Sequence, residues 1–302
     1  MKKKPKPRPN FIHGISDFAR LHLGIEDKLR RLSVTPRNRK KLSDDAVQNL
    51  HLRARAYLPA GNLRARTCLA EWILSGFMAE GLPRDDDYFH LTLVPSGFAY
   101  RANSHGRLDI AGLIASGSIA MEGLDYLAAI DVGAYVSLRG EAAGRRETWH
   151  SPHVHAIVWS ASEDYMEGLE HGLNIATEPF LPGLLPVHFR RLSYEVCQKR
   201  LLYAFKFPLH EYQAWPMLSP KDADQKQPPL LWKQKPKPIR PGTAAGIANH
   251  LAEFSLDQIT FAGGQGRHIL DAALRDARDE MSSAERHRMK AIYGPQRNKE
   301  RQ

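Results

Sequence analysis

Three short patterns in this 302-residue chain join residue types that can act on a phosphate. The first is Phe89-His90-Leu91-Thr92-Leu93-Val94-Pro95. The second is Trp149-His150-Ser151-Pro152-His153-Val154-His155, followed by Ala-Ile-Val-Trp. The third is Leu201-Leu202-Tyr203-Ala204-Phe205-Lys206. His153 and His155 fall in a run that alternates like a strand. A period of two puts both imidazoles on one face, about 7 Å apart along the chain. Two neutral imidazoles so placed can share one divalent ion. The same pair also reads as two partly exposed histidines on a half-buried strand.

The first pattern obeys the same parity. Phe89, Leu91 and Leu93 form a wholly apolar face that must meet the core, which turns His90 and Thr92 the other way. If this strand lies beside the one bearing His153, the two polar faces coincide. Tyr203 falls in a predicted helix over 192–207 that Pro208 stops. Lys199 and Lys206, four before and three after, share its helical face. A phenol with a pKa of about 10 is a poor nucleophile at neutral pH. Nearby cations and a metal-polarised phosphate lower the barrier to its attack. The plainer alternative is a packed tyrosine whose lysines reach water.

The elements that must position these residues follow from patterning. A strand is predicted over 88–94 and another over 153–159. A helical pattern runs from about Ile15 to Gly81, with Ser43 as an N-cap and Ala65–Met78 as one helix. A helix is expected over 106–119, and Asp125–Leu138 reads as helix or strand. From Ser219 to Pro241 six prolines interleave with Lys221, Lys226, Lys233, Lys235, Lys237 and Arg240, the composition of a basic linker or loop. Beyond it lie a helix from Thr243, a short strand at Ile259–Phe261, a glycine turn at 263–266 read only as a loop, and an amphipathic helix over 270–292. This divides the chain into a basic arm with helices (1–85), a core carrying the three patterns (86–218), a linker or loop (219–242) and a helical C-terminal region (243–302).

Composition bounds the rest. With 42% hydrophobic and 25% charged residues, the chain reads as an ordinary globular protein, not a rod or a disordered chain. No run approaches the ~18 apolar residues of a membrane span. Two distant cysteines, Cys68 and Cys197, exclude a disulfide scaffold and a cysteine zinc site. The basic N-terminus has no apolar run behind it, so a cytoplasmic protein is expected. Residues 1–41 hold 13 Lys and Arg against three acids, which accounts for the whole formal charge of +10. A basic arm on a neutral body suits a polyanion such as nucleic acid; a solvated tail is the alternative.

In this order the three patterns resemble the HUH endonuclease superfamily: rolling-circle replication initiators, relaxases and related transposases. Phe89–Val94 matches its first motif, His153-Val154-His155 its histidine–hydrophobe–histidine motif, and Tyr203 with Lys206 its helical Y-x-x-K. One departure is the extra Ser151 in Trp-His-Ser-Pro-His-Val-His, where many relatives read W-H-P-H-x-H. The resemblance covers roughly residues 86–210. It implies an α+β fold, a central antiparallel sheet with helices packed on one face, here preceded by N-terminal helices. It implies Mg²⁺ or Mn²⁺ held by His153, His155 and a third ligand. Glu147 is the favoured third ligand, as a carboxylate suits these ions; His90 is the rival, with His150 and Glu141 behind. The implied reaction is nicking and joining of single-stranded DNA by Tyr203 through a 5′-phosphotyrosine, with Lys206 balancing phosphate charge and Thr92, His90 and Lys199 contacting DNA.

Position 199 is Lys and Tyr194 lies on the opposite helical face, so a single-tyrosine enzyme is expected, one that initiates rolling-circle replication of a plasmid or phage. No Walker A sequence occurs, so strand separation and synthesis would need a host helicase and polymerase. Expected partners are single-stranded origin DNA, duplex DNA through the N-terminal arm, and no membrane. Rival readings are a relaxase or transposase of the same superfamily, a non-catalytic nucleic-acid-binding protein, and a two-histidine phosphoesterase. The last needs a second H-x-T/S that His153-Val154-His155 does not supply.

Overall fold

Alternating and β-branched runs build the centre of the molecule, and capped helical segments cover it. The computed structural model describes residues 12–51, 58–82, 87–102, 108–139, 146–181, 183–218 and 230–293. In chain order the elements are α1 (Ile15–Val34), α2 (Pro36–Arg39), α3 (Asp44–His51), α4 (Leu63–Ala79), β1 (Tyr88–Leu93), a 3₁₀ turn (Ser96–Phe98), β2 (Tyr100–Arg101) and α5 (Ile110–Ala120). There follow β3 (Asp125–Arg139), β4 (Arg146–Trp159), α6 (Glu163–Ala176), β5 (Val187–Leu192), α7 (Tyr194–Ala204), β6 (His210–Leu218), β7 (Leu230–Pro238), α8 (Pro241–Leu251), α9 (Leu256–Ile259), β8 (Thr260–Gly263) and α10 (Gly266–Tyr293). Residues 1–11, the start of the basic arm, lie outside the described residues. No described helix is long and apolar enough to cross a membrane.

The sheet runs β5-β1-β4-β3-β6-β7, with β2 also pairing β4 and β8 also pairing β3. The long antiparallel pair β3–β4 is its spine, in register from Asp125↔Trp159 to Arg139↔Arg146 with one irregularity near Val136. The fold is α+β, but the sheet is mixed where an antiparallel one was expected, because β3 and β6 are parallel. The reason is α7. It leaves the edge strand β5, crosses the sheet face and delivers β6 to the far side of β3, running the same way.

Helices also cover both faces, where one was expected. Tyr203 of α7 meets His155, its ring centroid 5.3 Å away. Phe77 of α4 sits edge-on to Trp159 of the same face. On the opposite face Gly117 lets α5 close on Val154 and Phe261. With both faces roofed, one apolar core extends from Ile12 to Ala277 and includes residues from every described helix longer than one turn.

Two segments differ from the sequence reading. Leu230–Pro238 is a strand paired along its length with β6, not a linker. The glycine turn at 263–266 does join a strand to a helix, β8 to α10. Its glycines are steric: a Cβ on Gly266 would lie 2.0 Å from the Tyr126 carbonyl, and Gly264 has φ +51. The α10 N-terminus already holds an anion, since Asp125 Oδ1 accepts the Gln265 N–H at 2.7 Å.

The stretch after α7 is clamped from below. Arg66 of α4, 3% exposed, donates from Nη1 to the Phe205 and Lys206 carbonyls at 3.3 and 3.1 Å, and from Nε to the Ala60 carbonyl. His22 of α1 donates from Nδ1 to the Phe18 carbonyl and accepts the Phe207 N–H at Nε2, 2.8 Å away. This pattern requires a neutral ring. Burial first, then Arg66 and Lys206, push the His22 pKa down to about 3.

A folded-state pKa below the unfolded value of about 6.5 gives stability that is complete above that pH and is lost as pH falls toward the folded value. Between pH 6.5 and 3 each such histidine is expected to remove about 1.4 kcal/mol of stability per pH unit. Urea unfolding across this range should therefore show a slope that His22→Gln reduces by about one proton's worth. An unchanged slope in the variant would contradict the clamp.

Candidate metal and nucleophile site

Strand parity assembles the site as the sequence suggested. Because β1 and β4 are neighbours, Thr92 stands directly opposite His155. Because β3 flanks β4 on the other side, Asp131 stands directly opposite His153. The β3 carboxylate and the two imidazoles therefore share one face. Their donor atoms all lie within 4.8 Å of one another, a cluster that can hold a metal ion.

The hydrogen bonds orient these rings. His153 Nδ1 donates to the Ser151 carbonyl at 2.9 Å. His155 Nδ1 lies 3.1 Å from Thr92 Oγ1. The two Nε2 atoms face each other 3.1 Å apart. Asp131 Oδ2 lies 3.7 Å from His155 Nε2 and 4.0 Å from His153 Nε2, so the three donor atoms converge on one point, as a shared ion requires. Burial pushes both imidazole pKa values down, that of His155 further. The neutral ring is the form that binds metal.

Asp131 has a second partner, the ammonium of Lys206. Burial alone would raise the Asp131 pKa, but Lys206, His153 and the Val132 N–H outweigh it and hold the carboxylate ionised. Lys206 responds in the opposite sense: burial would lower its pKa, and Asp131 raises it. Lys206 is thus a buried charge partner, 3% exposed, just past the end of α7. Its Nζ sits 4.0 Å from the centre of the Tyr203 ring. The sequence reading aimed it at a phosphate; Asp131 holds it below the ring instead.

Tyr203 itself is half-buried. Arg200 lies over its ring at 5.5 Å, and Tyr212 of β6 lines the same cleft. Tyr212 is stacked on Tyr135 of β3, and burial pushes its phenol up, so it stays protonated. A cleft of about 330 Å³ opens over Tyr203 and the two ligand histidines, with His188, Arg190, Arg200 and Gln234 in its wall. Neither Arg190 nor Arg200 forms an ion pair among the described residues, so the cleft wall is cationic. Gly133 borders it beside His153.

Other expected residues differ in how they stand to the cleft: His90 and Thr92 border it, and the rest of the described ones do not. Glu147 is far along β4, beside Arg101 at 3.4 Å and bonded by the Trp149 indole. Six residues of strand separate it from His153, about 20 Å. Thr92 is buried, borders the cleft and is bonded to His155, so it helps to orient that ring. His90 stacks on His155 with ring centroids 5.1 Å apart; its buried Nε2 has no hydrogen-bond partner among the described residues. Burial, then Arg200, pushes its pKa down to about 3. Lys199 is half-buried and outside the cleft wall, where Arg200 stands. His150 packs on the opposite face against Tyr100 and His250, and Glu141 lies outside the described residues.

Asp131, Tyr212, Arg190 and Arg200 were not singled out from sequence. Asp131 had a readable signal: it is the lone acid in the apolar run Leu127–Val136. Manganese binding followed by calorimetry separates the two carboxylates. Asp131→Asn should weaken it at least tenfold, a loss of about 1.4 kcal/mol, while Glu147→Gln leaves it unchanged. The reverse ranking would return the ligand role to Glu147.

Comparison with family models, with curated proteins and with solved structures yields no match to this chain.

Proposed function

We propose that this chain is a metal-dependent, sequence-specific nickase of single-stranded DNA that starts rolling-circle replication. One observation carries the reading. A tyrosine flanked by cations opens into the same cleft as a buried cluster of two imidazoles and a carboxylate. A nucleophile, a seat for a Lewis acid and free guanidinium groups are what phosphoryl transfer requires.

Asp131, His153 and His155 would hold the ion, and the hard carboxylate suits Mg²⁺ or Mn²⁺. When bound, it supplies Lewis-acid polarisation of a phosphate oxygen. The protein's own groups do the rest. Arg190 and Arg200 bind the other phosphate oxygens. Lys206 beneath the ring balances the negative charge that develops on Tyr203 as its proton passes to water. The phenolate oxygen attacks phosphorus and the bond to the 3′ oxygen breaks. The downstream fragment stays on Tyr203 through its 5′ phosphate, while the upstream fragment leaves with its 3′ oxygen, which takes a proton from water. The phosphoester bond conserves the energy needed for rejoining. Origin DNA, a host helicase and a polymerase are the partners this reading requires.

The test uses circular single-stranded DNA with Mn²⁺ and detects covalent adducts on a denaturing gel. The wild type should form an adduct that EDTA abolishes and Tyr203→Phe lacks. Arg200→Gln should slow its formation by about 10²-fold, the scale of losing one charge-stabilising donor. An adduct that survives in Tyr203→Phe would remove this tyrosine as nucleophile.

A further inference from the structure

The strand that closes the sheet edge carries a feature that cutting a phosphate does not use. β7 alternates, and its two faces differ. Trp232 packs into a small apolar cluster under Tyr135 and Leu138. On the same face, Gln234 accepts the Tyr135 hydroxyl at 3.2 Å and borders the cleft. The other face carries Lys233, Lys235 and Lys237, spaced about 7 Å apart by the pleat. Lys233 and Lys235 are exposed and Lys237 half-buried. None of the three forms an ion pair among the described residues.

Their cross-strand partners are Trp215, Gln213 and Glu211. Glu211 does not neutralise the row, because Arg240 and Thr243 already hold its carboxylate. Trp215 is 39% exposed beside Lys233. The face is therefore a row of three unpaired ammonium groups with an open indole at one end.

We propose that the Lys233–Lys235–Lys237 row with Trp215 is a track for single-stranded DNA entering or leaving the cleft. The evenly spaced ammonium groups match a phosphate backbone, which binds with release of counterions. The indole offers a stacking surface for an unpaired base, which a duplex would not expose. Gln234 borders the cleft from one face of this edge strand and the lysines line the other face, so a DNA strand leaving the cleft reaches the track by rounding the sheet edge. The track rests on the nickase reading for its substrate, but its own evidence lies outside the metal and tyrosine site.

The experiment measures anisotropy of a fluorescent oligothymidylate against salt, using the full chain. Replacing the three lysines together by Gln should weaken binding and lower the slope of log K against log salt by about two, at ~0.7 per phosphate contact. Trp215→Ala should weaken binding about tenfold at one salt concentration. Manganese binding should be unchanged in both variants, which shows that they are folded. Unchanged affinity and slope would overturn the proposal, as would equal binding of duplex with Trp215→Ala silent. The two readings fail separately. Lost binding in the lysine variant without any wild-type adduct keeps the track and removes the nickase, and an adduct with unaltered binding does the reverse.

Discussion

The buried pair of Lys206 and Asp131 ties the functional residues to the fold. It joins the segment after α7 to the central strand β3, beneath the Tyr203 ring and beside both ligand histidines. Two opposite charges out of water hold together only if each keeps its partner, and removing one from such a pair costs about 3–5 kcal/mol. Every group around it is arranged for that. Arg66 takes the carbonyls of Phe205 and Lys206, His22 takes the Phe207 N–H, and the Val132 N–H donates to Asp131. The N-terminal helices α1 and α4 thus support the site directly.

The same pair has a chemical consequence. Asp131 Oδ2 serves both the ammonium and the metal-ligand cluster, so the charge beneath Tyr203 and the affinity for a cation are linked through one oxygen. A bound dication would compete with Lys206 for that oxygen and leave the ammonium more available to the Tyr203 ring above it. The site is preorganised in the sense that matters for charge development. Its dipoles and charges sit on strands and on a clamped helix end, with ring orientations set by Ser151 and Thr92. The cleft's cations, the exposed Arg190 on β5 and the half-buried Arg200 on α7, come from elements on the cleft rim.

Much of this was legible residue by residue. The period of two in Phe89–Val94 and in His153–Trp159 predicted which side chains share a face, and both strands form with that parity. The juxtaposition of β1 and β4 was a condition on which the shared polar face depended, and Thr92 opposite His155 meets it. Lys206 stands differently from the helical face expected for it, for a local reason. A helical face was drawn through Lys199, Tyr203 and Lys206, but α7 ends at Ala204, and the chain turns Lys206 inward to Asp131. The Lys/Pro composition of 219–242 reads as a linker or loop; 219–229 lie outside the described residues, and 230–238 form β7. Prolines at 236 and 238 are tolerated because β7 is an edge strand, where a missing N–H need not face a neighbour.

By itself the sequence determined the local periods, the apolar faces, the helix caps and the residue types able to bind a metal or attack a phosphate. These depend on neighbours within a few positions, where the backbone geometry is known in advance. Only the tertiary structure decided the third member of the metal cluster, the second phenol beside Tyr203, the arginines of the cleft and the mixed order of the sheet. Asp131 meets His153 through a register between strands 22 residues apart in sequence. Tyr212 reaches Tyr203 only because α7 carries the chain across the sheet before β6 begins. Such contacts depend on which strands pair and on which side each helix crosses, and no local periodicity encodes either.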